Sequence, residues 1–149
     1  MIIDIDIGPI REEIAATDTG LVEVGTAKTL GAARADALTT PSAFVIPLAE
    51  NAGPNIYQNS AGPLEQPVTF QFGVVLVVRD VAYRSGDPAL SELSGIRRAV
   101  MPLLCRYHYP GAKDVCTPVR GALVSNIDRD GRMIWQDTYR IEFFRRIDP

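Results

Sequence analysis

Gly20, Gly25 and Lys28 follow the outline of a phosphate-binding loop. That loop needs lysine and a hydroxyl residue directly after its second glycine, so that the amine reaches the phosphates cradled by the backbone. Thr26 and Ala27 intervene here, and the residues between the glycines are largely apolar. A strand followed by a turn is therefore the better interpretation of this stretch.

Candidate metal ligands form incomplete sets. Asp128 and Asp130 begin like a calcium loop, but no glutamate follows where it would close the site. Cys105, His108 and Cys116 offer three soft ligands, whereas structural zinc sites use four. We therefore expect no metal and no cofactor. Without a secretory signal, free thiols are favoured over a single disulfide.

His108 is the sole histidine and would have to serve any nucleophilic catalysis. It lies in the run Arg106-Tyr107-His108-Tyr109, which is typical of a polar, aromatic helix end at the surface. No serine stands in a GxSxG turn, and the paired carboxylates fall at expected helix starts and turns. The sequence therefore predicts no enzyme.

Length and composition indicate one ordinary globular domain over residues 1–149, with 46% hydrophobic and 22% charged residues. A net charge of −3 argues against a dedicated nucleic-acid-binding protein, but it does not exclude a protein past which DNA slides. The start, MIIDIDIGPIREE, resembles no signal peptide, and no window is apolar for the length of a membrane span.

The run from Leu64 to Asp80 is the strongest structural signal, because apolar residues alternate with others over most of its length. This period of two predicts a strand much longer than the usual 5–6 residues or so. Val75 and Val77 interrupt the polar face. We therefore expect the C-terminal half to be covered on both faces and the N-terminal half to project with one wet face.

A long helix is predicted to begin at Asp87-Pro88 and to lie across the sheet. Its apolar face is predicted to hold Leu90, Leu93, Ile96, Val100, Leu103 and Leu104. Glu92, Arg97 and Arg98 are placed on the opposite face, and Pro102 is expected to kink or loosen the last turn.

A hairpin is predicted from Val119–Asp128 and Arg132–Arg146 about a turn ending at Gly131. In its second strand, Asp137 is the polar member of an otherwise apolar face. The smaller predicted elements are a helix over Ile10–Ala16, a strand over Leu21–Val24, a helix over Ala27–Ala37, a strand over Ala43–Leu48, and loops over Glu50–Pro63 and His108–Pro118. Because Pro47 has no amide to donate, the Ala43–Leu48 strand is expected to lie at an edge or to end its pairing there. Residues 3–7 fit either a strand or a helical turn.

The predicted fold class is α+β: a mainly antiparallel sheet of four to five strands, one long helix packed on it and smaller N-terminal helices. Three groups of residues have the character of interaction surfaces: adaptable polar side chains in a long loop, tyrosine–arginine clusters at element ends, and an apolar C-terminal strand. The candidate interface residues are Asn51, Asn55, Tyr57, Gln58, Arg79, Tyr83, Arg84, Arg106, Tyr107, His108, Phe144 and Arg146.

The order of these elements resembles a known family. The features are a strand ending in PLAE, a loop with Ala52-Gly-Pro-Asn55, the strand QPVTFQFGVVLVVRD, a helix starting at Asp87-Pro88-Ala-Leu90, and a last strand with Trp135-Gln136-Asp137. Together they resemble the tail terminator proteins of long-tailed bacteriophages, in particular those of Mu-like prophages. The resemblance covers about residues 5 to 146, and its signals are patterns rather than an invariant motif.

The resemblance implies a structural subunit of the virion tail that closes into a homohexameric ring. Such a ring caps the head-proximal end of the tail tube, stops tube polymerisation and offers a face to head-completion or connector proteins. The implied partners are the chain itself, the tail tube protein and the head-completion protein, with DNA passing through the lumen without specific binding. The implied setting is the host cytoplasm during assembly.

Two other functions remain open from the sequence. One is another phage neck or tail ring protein, such as a stopper or a tube-like subunit, which would have the same elements and a different partner. The other is a small enzyme or ligand-binding module. The long polar loop can likewise be an interface or a plain connector.

Overall fold

A computed structural model describes residues 4–37, 39–57, 61–79, 87–125 and 131–148 of the chain. In chain order the elements are α1 (Gly8–Ala15), β1 (Glu23–Thr26), α2 (Leu30–Asp36), β2 (Ser42–Ala52), β3 (Leu64–Arg79), α3 (Asp87–Arg106), β4 (Thr117–Ser125) and β5 (Arg132–Ile147). The strands form one sheet in the order β1-β2-β3-β5-β4. β1 pairs parallel with β2, and the remaining pairs are antiparallel. The predicted α+β class is confirmed.

β3 lies at the centre of the sheet and pairs along its full length with β5. In its first half, Val68 and Phe70 are buried while Thr69 and Gln71 are partly exposed. From Phe72 to Val78 every residue is buried. The strand is therefore covered on both faces in its second half, as the alternation pattern predicted.

Helices on opposite faces of the sheet explain this difference. Ile10 and Ile14 of α1 and Leu104 of α3 pack with the larger core cluster on one face. Ala33 of α2 packs on the other face, in a smaller cluster that includes Val75 and Val77. Since α2 is short, it covers the second half of β3 and leaves the first half of that face open.

The long helix begins at Asp87, as predicted, but its buried face is rotated at the start. Ala89 is fully buried and Leu90 is exposed, so the prediction that Leu90 faces the sheet is wrong. Ala89 and Leu93 are one helical turn apart and share the buried face, which leaves Leu90 pointing away. The helix continues through Pro102 to Arg106.

Two predicted boundaries at the N-terminal side are wrong. β1 begins later than Leu21, and α2 begins at Leu30, where the Thr29 side chain caps the helix by accepting a hydrogen bond from the Ala32 amide (3.1 Å). Residues 4–7 form neither a regular strand nor a helix.

β2 extends past the predicted end at Leu48 to Ala52, so Glu50–Ala52 belong to a strand and not to the loop. Its pairing with β1 stops at Val45, and its register with β3 shifts between Pro47 and Ala49. β2 is therefore not an edge strand, but its pairing on the β1 side ends just before Pro47, in agreement with the second predicted alternative.

The predicted apolar C-terminal strand, β5, lies inside the sheet for most of its length. β5 lies between β3 and β4, which pairs with it as far as Arg140. Beyond Arg140, no strand of the described residues pairs with the β4 side of β5. The edge is therefore confined to the C-terminal part of β5. Of the predicted turn residues in this hairpin, Asp128 and Asp130 lie outside the described residues.

Candidate interaction surfaces

The first surface is the end of the sheet formed by residues 64–67 of β3, 144–147 of β5 and the segment 53–57, here called the ribbon tip. Gly53 donates its amide to the Pro67 carbonyl (2.7 Å), and Ile56 donates to the Glu65 carbonyl (2.8 Å). The Gln66 side-chain amide donates to the Gly53 carbonyl (2.9 Å). The segment 53–57, which is the described first part of the predicted polar loop, is therefore hydrogen-bonded to β3 like an added strand.

Three of the predicted interface residues meet in the ribbon tip around Glu65. The Asn55 side chain accepts the amides of Tyr57 (3.2 Å) and Glu65 (3.0 Å). The Tyr57 hydroxyl donates to the Glu65 carboxylate (2.9 Å), which also lies 3.6 Å from Arg146. Arg146 donates to Asp148 (3.1 Å), and this hydrogen bond raises the pKa of the arginine. These side chains form a polar cluster at the surface, and hydrogen bonds to the backbone and to one another hold it in place.

Phe144 adds an apolar side chain to the ribbon tip. It pairs in register with Pro67 and is 48% exposed, whereas the adjacent Phe143 is 2% exposed in the core. Asn51 is exposed on β2, in register with Thr69. Both therefore lie in the same part of the sheet as the Glu65 cluster.

The other predicted interface residues do not join this surface. Arg79 is exposed at the opposite end of β3, roughly 50 Å from Leu64 at the rise of about 3.3 Å per residue in a strand. Gln58, Tyr83 and Arg84 lie outside the described residues. The predicted set is thus spread over distinct parts of the molecule.

Arg106, Tyr107 and His108 lie at the end of α3. Arg106 and His108 are exposed, and the His108 ring lies within hydrogen-bonding distance of the Ala112 carbonyl (2.7 Å). Tyr107 packs against the core, and burial together with Glu13 raises its pKa. The contact with the Ala112 carbonyl therefore places His108 in the turn that follows α3.

Sequence reasoning missed the surface at the β4 side of the sheet. Arg97 was placed on the solvent face of α3, and this prediction is wrong. Its guanidinium forms two hydrogen bonds with the Asp137 carboxylate (2.9 and 3.0 Å) and lies 4.7 Å from the centre of the Trp135 ring. Trp135 also donates to Asp137 (2.9 Å). Asp137, the lone acid in an otherwise apolar face of β5, was the signal that a cation from another element pairs with it.

This network joins α3 to β5. β4, the next strand, is the outermost strand on this side of the sheet. No strand of the described chain pairs with the outer side of β4, and Val119 (47%) and Leu123 (45%) are exposed there. Nearby, a groove of about 470 Å³ follows one side of α3 and is lined by residues that include Arg98, Met101 and Pro102. An open backbone edge, exposed apolar side chains and a groove are features of a protein-binding surface.

The described residues offer little for catalysis. No three His, Cys, Asp or Glu side chains among them come together as metal ligands. Burial raises the pKa of the free Cys116 thiol to about 12, which keeps it protonated and unreactive at neutral pH. None of the helices in the described part of the chain has the length and apolar character to cross a membrane.

Comparison with known families agrees with a surface built for assembly. A family model described as "Phage tail terminator protein" matches residues 1–149, the full length of this sequence. The chain belongs to the phage tail terminator family. No curated protein matches it significantly. Tail terminators are structural proteins of the phage tail and not an enzyme family, so the virion tail is where this chain functions.

Proposed function

We propose that this tail terminator forms a homohexameric ring that caps the head-proximal end of the tail tube, stops tube polymerisation and provides the surface for head or connector attachment. The family match over residues 1–149 is the observation that carries the proposal. We propose further that these residues act as one domain and assemble in the host cytoplasm.

The open edges of the sheet support ring formation. β4 has no outer strand partner among the described residues. On its β4 side, β5 has no partner strand in the described chain beyond Arg140, and there the Lys113 amide donates to the Glu142 carbonyl (2.7 Å). Unpaired edges can add strands or side chains from a neighbouring chain. Subunits that repeat one contact between two different surfaces form a closed ring when the rotation from one subunit to the next is a whole-number fraction of a full turn.

The ribbon tip supports contact with the tube or the head. It extends past the last pair between β4 and β5, Thr117 and Arg140, and it carries Tyr57, Phe144 and Arg146. Tyrosine and arginine are enriched where protein interfaces bind most tightly. We propose that this end faces a partner protein while the edges of the sheet face sister subunits.

Passage of DNA through the lumen is consistent with the overall charge. The chain carries a net charge of −3, which disfavours retention of a polyanion. We therefore expect DNA to pass without specific binding, and we expect no cofactor in the ring.

Polymerising tube protein of the same phage, observed by electron microscopy, tests the function. Added terminator should stop elongation and appear as a six-fold ring at one end of each tube. A ring that instead joins the head connector and leaves tube growth unchanged would indicate a stopper. Incorporation along the tube would indicate a tube-like subunit, and either result contradicts the proposal.

A further inference from the structure

The two side edges of the sheet carry opposite charge. β1 lies at one edge and β4 at the other, and α1 packs on the β1 side. Residues 4–28, at the β1 side, contain six carboxylates and two cations. Residues 97–106 and 117–125, the second half of α3 and all of β4, contain four cations and no carboxylate. Asp137 neutralises one of these cations, Arg97.

The carboxylates at the β1 side are available to a partner. Glu12 on α1 and Asp18 in the turn before β1 are both exposed. The Asp18 side chain accepts the Gly20 amide (3.4 Å), which leaves its charge uncompensated. No ion pair of the described residues involves either acid. Val22 beside them is 67% exposed.

The cations at the β4 side are equally available. Arg98 lines the α3 groove and Arg120 lies on β4, and both are exposed. Neither forms an ion pair with a carboxylate in the described part of the chain. The exposed Leu123 stands on the same strand as Arg120. Each edge therefore combines uncompensated charge of one sign with an exposed apolar side chain.

We propose that the edge marked by Arg98, Arg120 and Leu123 docks onto the edge marked by Glu12, Asp18 and Val22 of a second copy of this chain. Complementary charge makes the basic edge of one subunit bind the acidic edge of the next, and burial of the apolar side chains stabilises the contact. The contact uses two different surfaces, so it repeats head to tail. This inference rests on the proposed ring and assigns the residues that form its subunit contact.

Two charge-reversal variants test the assignment. The first, Arg98→Glu with Arg120→Glu, places acid against acid; the second, Glu12→Lys with Asp18→Lys, places base against base. Each variant alone should lower the fraction of ring-capped tubes at least about tenfold, which corresponds to about 1.4 kcal/mol. All four substitutions are at exposed positions, and thermal unfolding should show that the folds are intact.

Mixing the two variants decides the matter. In an alternating ring, every reversed edge meets a reversed edge and every native edge meets a native edge, so an equal mixture should restore capping to within about twofold of the unmodified chain. Alternation closes only with an even number of subunits, as in a hexamer. Rings from either variant alone, or no rescue by mixing, would overturn the assignment while leaving the capping function intact. If the unmodified chain forms no ring, the proposed function itself is wrong.

Discussion

Asp137 faces the interior of the sheet, where its side chain is 4% exposed, and Arg97 is its counter-ion with a side chain 33% exposed. Two hydrogen bonds from the guanidinium and one from Trp135 satisfy the carboxylate. Such a pair adds little net stability over an apolar pair, but the loss of one partner leaves a desolvated charge. The pair therefore fixes how α3 sits on β5.

The first prediction concerns this ion pair. Arg97→Ala should lower the free energy of unfolding by about 2–3 kcal/mol, because the buried Asp137 then lacks a counter-ion. The adjacent Arg98→Ala is the matched control and should change it by less than about 0.5 kcal/mol, since Arg98 is exposed. Urea unfolding measures both, and equal values for the two variants would refute this role of Arg97.

Two glycines should respond to alanine with opposite signs. A methyl group at Gly121 would lie 2.7 Å from Asp137 and 2.9 Å from Trp135, so Gly121→Ala should destabilise the fold by about 1–3 kcal/mol. Gly95 is exposed within α3 with nothing within 4 Å of the added carbon, so Gly95→Ala should stabilise by about 0.5–1 kcal/mol. Thermal unfolding of the two variants gives the signs, and a stabilising Gly121→Ala would contradict the described contact between β4 and β5.

At the scale of elements, two successive phenylalanines of β5 lie on opposite faces: Phe143 is buried in the core and Phe144 is exposed. Phe143→Ala should cost about 3–5 kcal/mol of stability, because it leaves a cavity in the core. Phe144→Ala should change stability by less than about 0.5 kcal/mol and should weaken tube capping. Chemical unfolding and a capping assay separate the two effects. Normal capping by Phe144→Ala would remove this residue from the proposed partner surface.

The segment 53–57 is attached to β3 through its backbone, so its side chains can change without loss of the fold. Tyr57→Ala should leave cooperative unfolding intact and weaken capping, because it removes an exposed aromatic ring and its hydrogen bond to Glu65. Tyr57→Phe retains the ring and should keep most of the capping activity. If Tyr57→Ala caps tubes normally, the segment is a connector between β2 and β3.

Regular elements were predictable where the periodicity is long. The alternation from Leu64 to Asp80 and the helical spacing after Asp87 depend on local sequence, and both elements are confirmed. The position of Leu90 was not predictable, because a neighbouring small residue, Ala89, can take the buried place equally well. The Arg97–Asp137 pair joins residues 40 positions apart, which pattern reading within one element does not reveal.

The positions of the surfaces could not be predicted from the sequence, because they depend on the order of the strands in the sheet. Pairing β1 parallel to β2 and placing β5 between β3 and β4 depend on contacts distant in sequence. The sequence did not predict which candidate interface residues lie together: Asn55, Tyr57 and Arg146 meet at the ribbon tip, while Arg79 lies at the other end of β3. β4 was predicted as a strand, but its position at the exposed edge of the sheet was not, because its short run of valine and leucine is equally compatible with burial.

For the whole molecule, the account depends on sheet edges that remain open in the single chain and are covered in the assembly. Charge of opposite sign at the two side edges gives the subunit a direction, and the ribbon tip gives it a distinct end. A subunit with these three surfaces can contact two sisters and a tube at the same time. Assembly on the tube end would then bury surfaces that are costly to leave exposed.

A cryo-electron microscopy reconstruction of the capped tube end tests this account most directly. The account predicts six copies, about 97 kDa for a 16.2 kDa chain, with the β4 side of each subunit against the α1–β1 side of the next. A tube end that carries single, separate subunits with both sheet edges exposed to solvent would contradict it.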